Sequence, residues 1–419
     1  MRRALIIVAG VVTAALLGAP AAYADSTVVV RGLDFPAGLT QLSIAGCPGI
    51  FDRVAEPVPT CLSRGVDAPA GSRSLKYDLA GGNAVGSQHA VASMAETSVA
   101  GLSVAAPQGS TGVAYAGYRA PEDWSTNLVW VGRADLHAAP GGWQQVDVTG
   151  LTYTWTQYDL AAQQPVAPHG EAPAPATVPE FLAAHGGDGP GFYTVGFGCD
   201  GSPFKIDALR IGSPGAVTTY DLEGYTSTTA IVGSQNTVVA GQEVALGGIL
   251  RDGYGAPLSH GLLVLEAQAP GGAFEPVKGA AVPVAVGDPT VTVAPTAHTV
   301  YRWRFAGTLS VDGSVSPSFT VDVATAVAAT TDTSGVASGG PLAVVGTTSP
   351  TKPGAMATLW RLDPEGRVAV AAAPVADDGS FRFEVPKALE GAWQYVVTVP
   401  AADGNLAGES PVQQVEPAD

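Results

Sequence analysis

Carboxylates, imidazoles and a glycine-rich hexapeptide are the residues of this chain that could do chemistry. Glycoside hydrolysis needs two acids facing one bond, one of them in an apolar site that raises its pKa. Glu171, Glu180, Asp188 and Asp200 are available, but all lie in or near turn-rich segments and none has a distinguishing neighbourhood. His89, His137, His169, His185, His260 and His298 are scattered along the chain. His185 and Asp188 make an i, i+3 pair, yet zinc needs a third protein ligand at matching spacing. Neither G-x-S-x-G nor H-E-x-x-H occurs, so the two commonest hydrolase motifs give no support. A dyad or triad assembled only in three dimensions stays open, since such sites are defined by geometry and not by order. Gly196 to Gly201 fits G-x-G-x-x-G. That motif works by holding a pyrophosphate at a following helix N-terminus. Here Pro203 and a strand-like run follow, so the match is accidental.

Aromatic side chains are the other candidates, because flat rings cover the apolar faces of sugars at little rotamer cost. Tyr115, Tyr118, Trp124, Trp130, Trp143, Tyr153, Trp155 and Tyr158 cluster in the first half. Trp130 and Trp155 sit at alternating positions of strand-like runs and read as core. Trp124, in Ala120 to Ser125, and Trp143, in Pro140 to Trp143, sit in turn-rich segments and are the ligand-binding candidates.

Strands must position these groups. Tyr193, Val195 and Phe197 alternate, and the stretch Phe192 to Ile211 predicts a hairpin turning at Cys199 to Pro203. Leu151, Tyr153, Trp155 and Gln157 alternate with Thr152, Thr154 and Thr156. Val217 to Glu223 predicts a closing strand. Val178 to His185 predicts one short helix, with Pro179 in its first turn and Gly186-Gly187 stopping it. Ala161 to Thr177 is rich in Ala and Pro and predicts a loop, or an insertion lying over the sandwich.

Arg2 and Arg3, the apolar run Ala4 to Gly18 and Ala22-Tyr23-Ala24 have the layout of a signal peptide over residues 1–24. This predicts an exported chain, extracellular or held at the cell surface, with no transmembrane segment after processing. A formal net charge of −17 and the lack of a Lys/Arg cluster exclude nucleic acid and anionic lipid as partners. The 53 Gly, 33 Pro and near absence of helical periodicity predict an all-β chain. Export permits disulfides. Cys47 and Cys61 would close a short loop, which predicts that pair with Cys199 free and buried. Pairing of Cys199 with either of the others is the rival, and spacing does not choose between them.

Two later stretches resemble each other. Gly241, Val244, Leu246 and Gly248 match Gly339, Leu342, Val344 and Gly346, and Tyr301 lies near the counterpart of Tyr395. Ala240 to Gly248 and Val300 to Gly307 resemble the opening and penultimate strands of bacterial Ig-like repeats in secreted and surface proteins. That resemblance implies Ig-like sandwiches over 226–323 and 327–415 and carries no catalytic residue. Phe204 to Arg210 resembles the closing strand of jelly-roll carbohydrate-binding modules, which implies a jelly-roll-like β-sandwich over 25–224. In several of those families the matching aspartate ligates a structural calcium. The resemblance thus implies calcium at Asp207, the one cofactor expected, with Asp200, Asp221 and Glu223 able to help. By spacing alone Asp207 reads as a solvent-facing side chain.

The function these readings predict is non-catalytic: an N-terminal module that binds a glycan or other cell-surface component, carried on Ig-like spacers. Two alternatives are a secreted carbohydrate-active hydrolase with accessory Ig-like modules and a purely structural surface protein.

Overall fold

Period-2 alternation decides most of this structure. The computed structural model describes residues 24–32, 34–36, 39–59, 61–65, 67–166, 172–284, 288–332, 340–386 and 392–415. Residues 1–23 of the signal-peptide stretch, His169, Glu171 and Gly339 lie outside them. The chain is all-β, as expected, and divides into two compact units, Met1–Tyr225 and Thr226–Asp419. Among the described residues the sole α-helix is Val178–Ala184, capped by a reciprocal Thr177–Glu180 box.

The first unit holds a seven-stranded and an eight-stranded sheet enclosing one core. Tyr193, Val195 and Phe197 of the strand Gly191–Phe197 are fully buried in it. Tyr153 and Trp155 of Thr152–Asp159 join them while Thr152 and Thr154 face out. Gly132 keeps its place because any Cβ there would press on Tyr153 and Trp155. Trp130 and Trp155 are core residues, as the alternation predicts. Phe181 of the helix stacks on Trp155 with ring centroids 3.9 Å apart, and His185 stacks on Phe181 at 4.0 Å.

The Phe192 to Ile211 hairpin does not form. Gly191–Phe197 pairs with Asn83–Val91 and Ser110–Tyr118 in the larger sheet. Phe204–Ser213 pairs with Arg73–Tyr77, Val99–Ala105 and Ala216–Glu223 in the other. The turn at Cys199 to Pro203 is therefore a corner between sheets. Both strands bury their alternating residues from opposite sides of the same core, which a hairpin within one sheet could not do.

The disulfide joins Cys47 to Cys199, with Cα atoms 5.8 Å apart, and Cys61 is free and exposed. The Cys47–Cys61 pairing is thus corrected, and strand order supplies the reason. Thr40–Gly46 and Gly191–Phe197 flank Asn83–Val91, both antiparallel to it. Their C-terminal ends therefore share one rim of the sheet, and the cysteine after each meets the other. Cys61 instead opens Cys61–Arg64 in the opposite sheet, paired with Lys76. The chain after Cys47 lies across the outer face of the eight-stranded sheet. There Ala45, Ala84, Val113, Tyr115, Val129 and Val131 make a second apolar cluster with Ile50 packed against it. Tyr115 Oη donates to the Gly46 carbonyl at 2.5 Å and Arg133 Nε to that of Cys47 at 2.9 Å, holding this strap down.

The second unit contains two pairs of sheets, three- and six-stranded over the strands from Ser227 to Ala324 and three- and five-stranded from Ala326 to Val415. Val244 and Leu246 are buried in the first pair and Leu342 and Val344 in the second. The matched glycines Gly248 and Gly346 share a purpose. Gly248 makes room for the Trp303 ring and Gly346 for that of Phe381. One residue, Thr325, separates Phe319–Ala324 from Ala326–Asp332. Asn405 clasps this joint: its Nδ2 donates to Thr296 O (2.8 Å) and Val323 O (3.2 Å), while Lys352 Nζ donates to its Oδ1 (2.9 Å). Leu406 N–H to Val323 O and Thr325 N–H to Leu406 O add two backbone bonds.

Cys47→Ser should lower the unfolding free energy of the first unit in urea by about 3–5 kcal/mol, because the bridge closes a loop of 152 residues. Alkylation of the native protein should label Cys61 alone. Asn405→Ala removes the amide's bonds to Thr296 O, Val323 O and Lys352 Nζ while Val323 O keeps the Leu406 N–H and Lys352 keeps Ala402 O, and should cost the second unit about 1–3 kcal/mol in the same measurement.

Candidate functional site

Asp207 lies where the strand Phe204–Ser213 changes neighbour. Its first residues pair with Arg73–Tyr77, and from Leu209 onward it pairs with Ala216–Glu223. The register against Val99–Ala105 also slips between Asp207 and Arg210, where Ala208 takes φ +48°. Backbone donors at this fork have lost the ladder partners they would otherwise use. The Asp207 carboxylate accepts two of them, Ala70 N–H on Oδ2 at 3.0 Å and Leu222 N–H on Oδ1 at 3.2 Å.

Asp207 is fully buried, not solvent-facing as spacing suggested. Burial pushes its carboxyl up to about 7 against the backbone donors of Ala208, Ala70 and Leu222. Asp221 and Glu223, both buried, stand beside it on Ala216–Glu223. Glu223 accepts from Ser72 N–H, from Ser72 Oγ at 3.2 Å and from Arg73 Nη1 at 2.7 Å. Burial works against the Glu223 carboxylate, but these donors outweigh it and hold its pKa below the ordinary value. Burial and the Glu223 charge raise that of Asp221, with Arg31 opposing.

The residues do not fit a resident calcium ion. Calcium takes six to eight oxygens whose lone pairs point at it. Both oxygens of Asp207 and both of Glu223 already accept N–H or O–H donors, one from a guanidinium. Asp200 is engaged elsewhere, accepting from Thr111 N–H at 3.1 Å and Ser202 N–H at 3.2 Å. Among the described residues no group of three His, Cys, Asp or Glu has metal-holding geometry. Arg73 was missed as part of this site, though a signal existed. It shares a face with Leu75 and Tyr77, the buried face of Arg73–Tyr77.

Among the described residues the remaining candidate acids, Glu180, Asp188 and Asp200, hold structure together. Glu180 caps the helix through Thr177. Asp188 accepts from Ser93 Oγ at 2.5 Å and Ala95 N–H at 2.9 Å. No two of them are tied together, and a raised pKa at Asp207 is of no use to a substrate that cannot reach it.

Trp124 is 60 % exposed on the turn after the 3₁₀ segment Pro121–Asp123. The turn is fastened from beneath. Arg119 Nη2 donates to the carbonyls of Trp124 (3.1 Å) and Thr126 (2.6 Å). Buried Asp123 accepts from Gln157 Nε2 at 3.1 Å, and Thr126 Oγ1 donates to Asp123 O at 2.9 Å. Trp143 is half-buried at the head of Trp143–Asp147, in the other sheet. The two tryptophans lie beyond opposite ends of Leu128–Ala138, eleven residues long, which extends roughly 33 Å. The fold does not bring them together, so one sugar cannot meet both.

No family model and no curated protein matches this chain. Solved structures similar to this chain at low score include the following three. The tetra-tandem repeat in the extending region of a large adhesion protein is 11% identical, with 94% of this chain and 100% of that one covered at TM-score 0.26. The Yersinia pseudotuberculosis adhesin InvE is 12% identical over 46% and 59%, at TM-score 0.20. The Escherichia coli adhesin FdeC is 13% identical over 75% and 98%, at TM-score 0.21. Scores this low carry no conclusion about this chain.

His89 sets up a pH test with Asp207. It is buried with Nδ1 3.1 Å from Thr40 Oγ1, and burial pushes its pKa to about 4, opposed by the Gly101 backbone. A carboxyl raised from 3.8 to about 7 stabilises the fold most at low pH and loses that contribution as pH climbs through 7. A histidine depressed from 6.5 to about 4 favours the fold above 6.5 and loses that contribution as pH falls. The slopes oppose one another between these values. Asp207→Asn should remove the falling contribution and leave the rising one of His89, so that urea stability relative to the unmodified protein climbs by about 2–3 kcal/mol from pH 4 to 6.5. A parallel profile would remove Asp207 from this titration.

Proposed function

We propose that this is a non-catalytic binding protein of the cell surface or extracellular space. In this reading its first unit engages a glycan or other surface component through Trp124, and its second unit serves as a stiff spacer. The observation that carries the reading is Trp124 itself, a large ring left open to solvent on a turn that Arg119 and Asp123 hold rigid. A ring fixed before binding loses little entropy when a sugar stacks on it. Trp143 does not share this site. The one-residue joint at Thr325 and the Asn405 clasp support the spacer role, because they remove the freedom a longer linker would give. The hydrolase reading lacks support: Glu180, Asp188 and Asp200 each hold a backbone or hydroxyl donor, and Asp207 is sealed off.

The full chain should be retained on at least one member of a panel of immobilised cell-wall and extracellular polysaccharides. Trp124→Ala should weaken retention about tenfold or more, the size expected for losing a central aromatic contact. Trp143→Ala should leave it unchanged. Retention indifferent to Trp124→Ala would end the assignment.

A further inference from the structure

A row of cross-strand neighbours runs over the outer face of the seven-stranded sheet in the first unit. Trp143 pairs with Ala105, Ala105 with Lys205, Lys205 with Lys76 and Lys76 with Cys61. Strand parity turns all five outward, because Val104, Ile206, Leu75 and Tyr77 beside them point into the core. Lys76 and Cys61 are exposed, Trp143 and Lys205 half-buried, and the small Ala105 leaves a low floor between the indole and the first lysine. Arg210, half-buried, faces the same way further along, next to the core residue Leu209. Two like charges directly opposite one another on adjacent strands are destabilising. Acid partners are not scarce, with 37 Asp and Glu against 20 Lys and Arg. Arg302 and Arg304 share Glu266, Arg361 holds Asp363 and Arg367 holds Glu409. Among the described residues Lys76, Lys205 and Arg210 hold no carboxylate at all.

We infer that this row is a second binding surface, for an acidic saccharide chain, in which one sugar ring stacks on Trp143 and the carboxylate of a neighbouring sugar sits between Lys205 and Lys76. A carboxylate placed there turns one like-charge opposition into two charge-assisted contacts. Adjacent strands lie about 4.8 Å apart, so Lys205 stands roughly 10 Å and Lys76 roughly 14 Å from Trp143 along the row. The carboxylate of a sugar stacked on the indole does not reach the lysines, so the ligand has more than one unit. The row crosses strands whose backbone donors and acceptors are engaged in the ladder, which leaves recognition to side chains. An extended peptide adding to a sheet would need those backbone groups. A sugar ring with its carboxylate needs a flat apolar face and a point charge, and the row supplies both. Three cations on a chain of net charge −17 neutralise few phosphates, which disfavours nucleic acid and anionic lipid. Trp124 lies on the turn between two strands of the other sheet, so either surface can fail alone.

The test uses the full chain with its disulfide intact and immobilised polygalacturonate, alginate and hyaluronate, each beside its carboxyl-reduced form. At low salt at least one of the acidic forms should retain the protein, and its reduced form should not. Lys76→Gln combined with Lys205→Gln should weaken that retention about tenfold or more, and Trp143→Ala about as much. Trp124→Ala should leave it unchanged, the reverse of its effect on the ligand of its own turn. The lysines have no protein partner to lose, so the double variant should melt within about 2 °C of the unmodified protein. Cys61 ends the row beside Lys76, so the same polysaccharide in solution should slow its alkylation in the unmodified protein and not in the double variant. Absence of retention on all three, equal retention on the reduced form, or retention indifferent to the lysine pair or to Trp143→Ala would overturn the inference. So would alkylation of Cys61 that the polysaccharide does not slow. Tighter binding to a single-stranded oligonucleotide or to phosphatidylserine vesicles than to any polyuronate would overturn it as well, because negative charge alone would then be what the row reads.

Discussion

A sheet whose central strand changes neighbour halfway must do something with the backbone donors at the fork, and in the first unit that task falls to one carboxylate. Asp207 accepts from both arms, Ala70 on one side and Leu222 on the other. An unmet buried N–H costs about as much as a lost hydrogen bond, so the side chain is bound to the topology and not to a ligand. Its burial sets the rest. A second and third acid arrive beside it on the alternating face of Ala216–Glu223, Arg73 pairs with Glu223 while Arg31 opposes the rise at Asp221, and Gly71 is the one residue type that can pass between the two acids. The closing strand, the acidic pocket and the depth of Arg73 follow from a single switch of pairing.

The strap after Cys47 is held by a comparable economy. The eight-stranded sheet is apolar on its core face at Ala114, Ala116 and Trp130 and on its outer face at Val113, Tyr115, Val129 and Val131, and a two-layer sandwich would leave the outer face wet. The chain after Gly46 covers that face, and the bridge to Cys199 fastens it to the corner where the chain leaves for the opposite sheet. In the second unit the same logic acts on the joint. A single residue between successive strands leaves the carbonyls of Thr296 and Val323 near the seam, and one asparagine side chain meets both. Lys352, almost fully buried, orients that amide through its Oδ1.

Much of this was legible along the chain. Alternation located Tyr193, Val195, Phe197, Tyr153 and Trp155 on buried faces, Val178 to His185 carried a helix with Pro179 in its first turn, and the matched Val244/Leu246 and Leu342/Val344 pairs lie in the cores of successive sandwiches. Those signals are local, because which face a side chain takes depends only on its own strand. Arg73 could have been read the same way, as a charge on the parity of Leu75 and Tyr77. The candidate binding ring Trp124 was also visible, since a tryptophan among turn residues has no strand face to hide on.

What sequence could not say was which strands become neighbours. Cys47 and Cys199 are 152 residues apart and meet only because their strands flank Asn83–Val91. The turn at Cys199 reads equally as a hairpin or a corner, and long-range pairing makes it a corner. Asp207 follows the pattern of an exposed residue until the fork buries it. The residues of this chain determined an acidic, all-β polypeptide and the inward face of each strand. Tertiary structure decided the disulfide, the fate of the buried acids and the separation of the two tryptophans, because periodicity carries no record of partner.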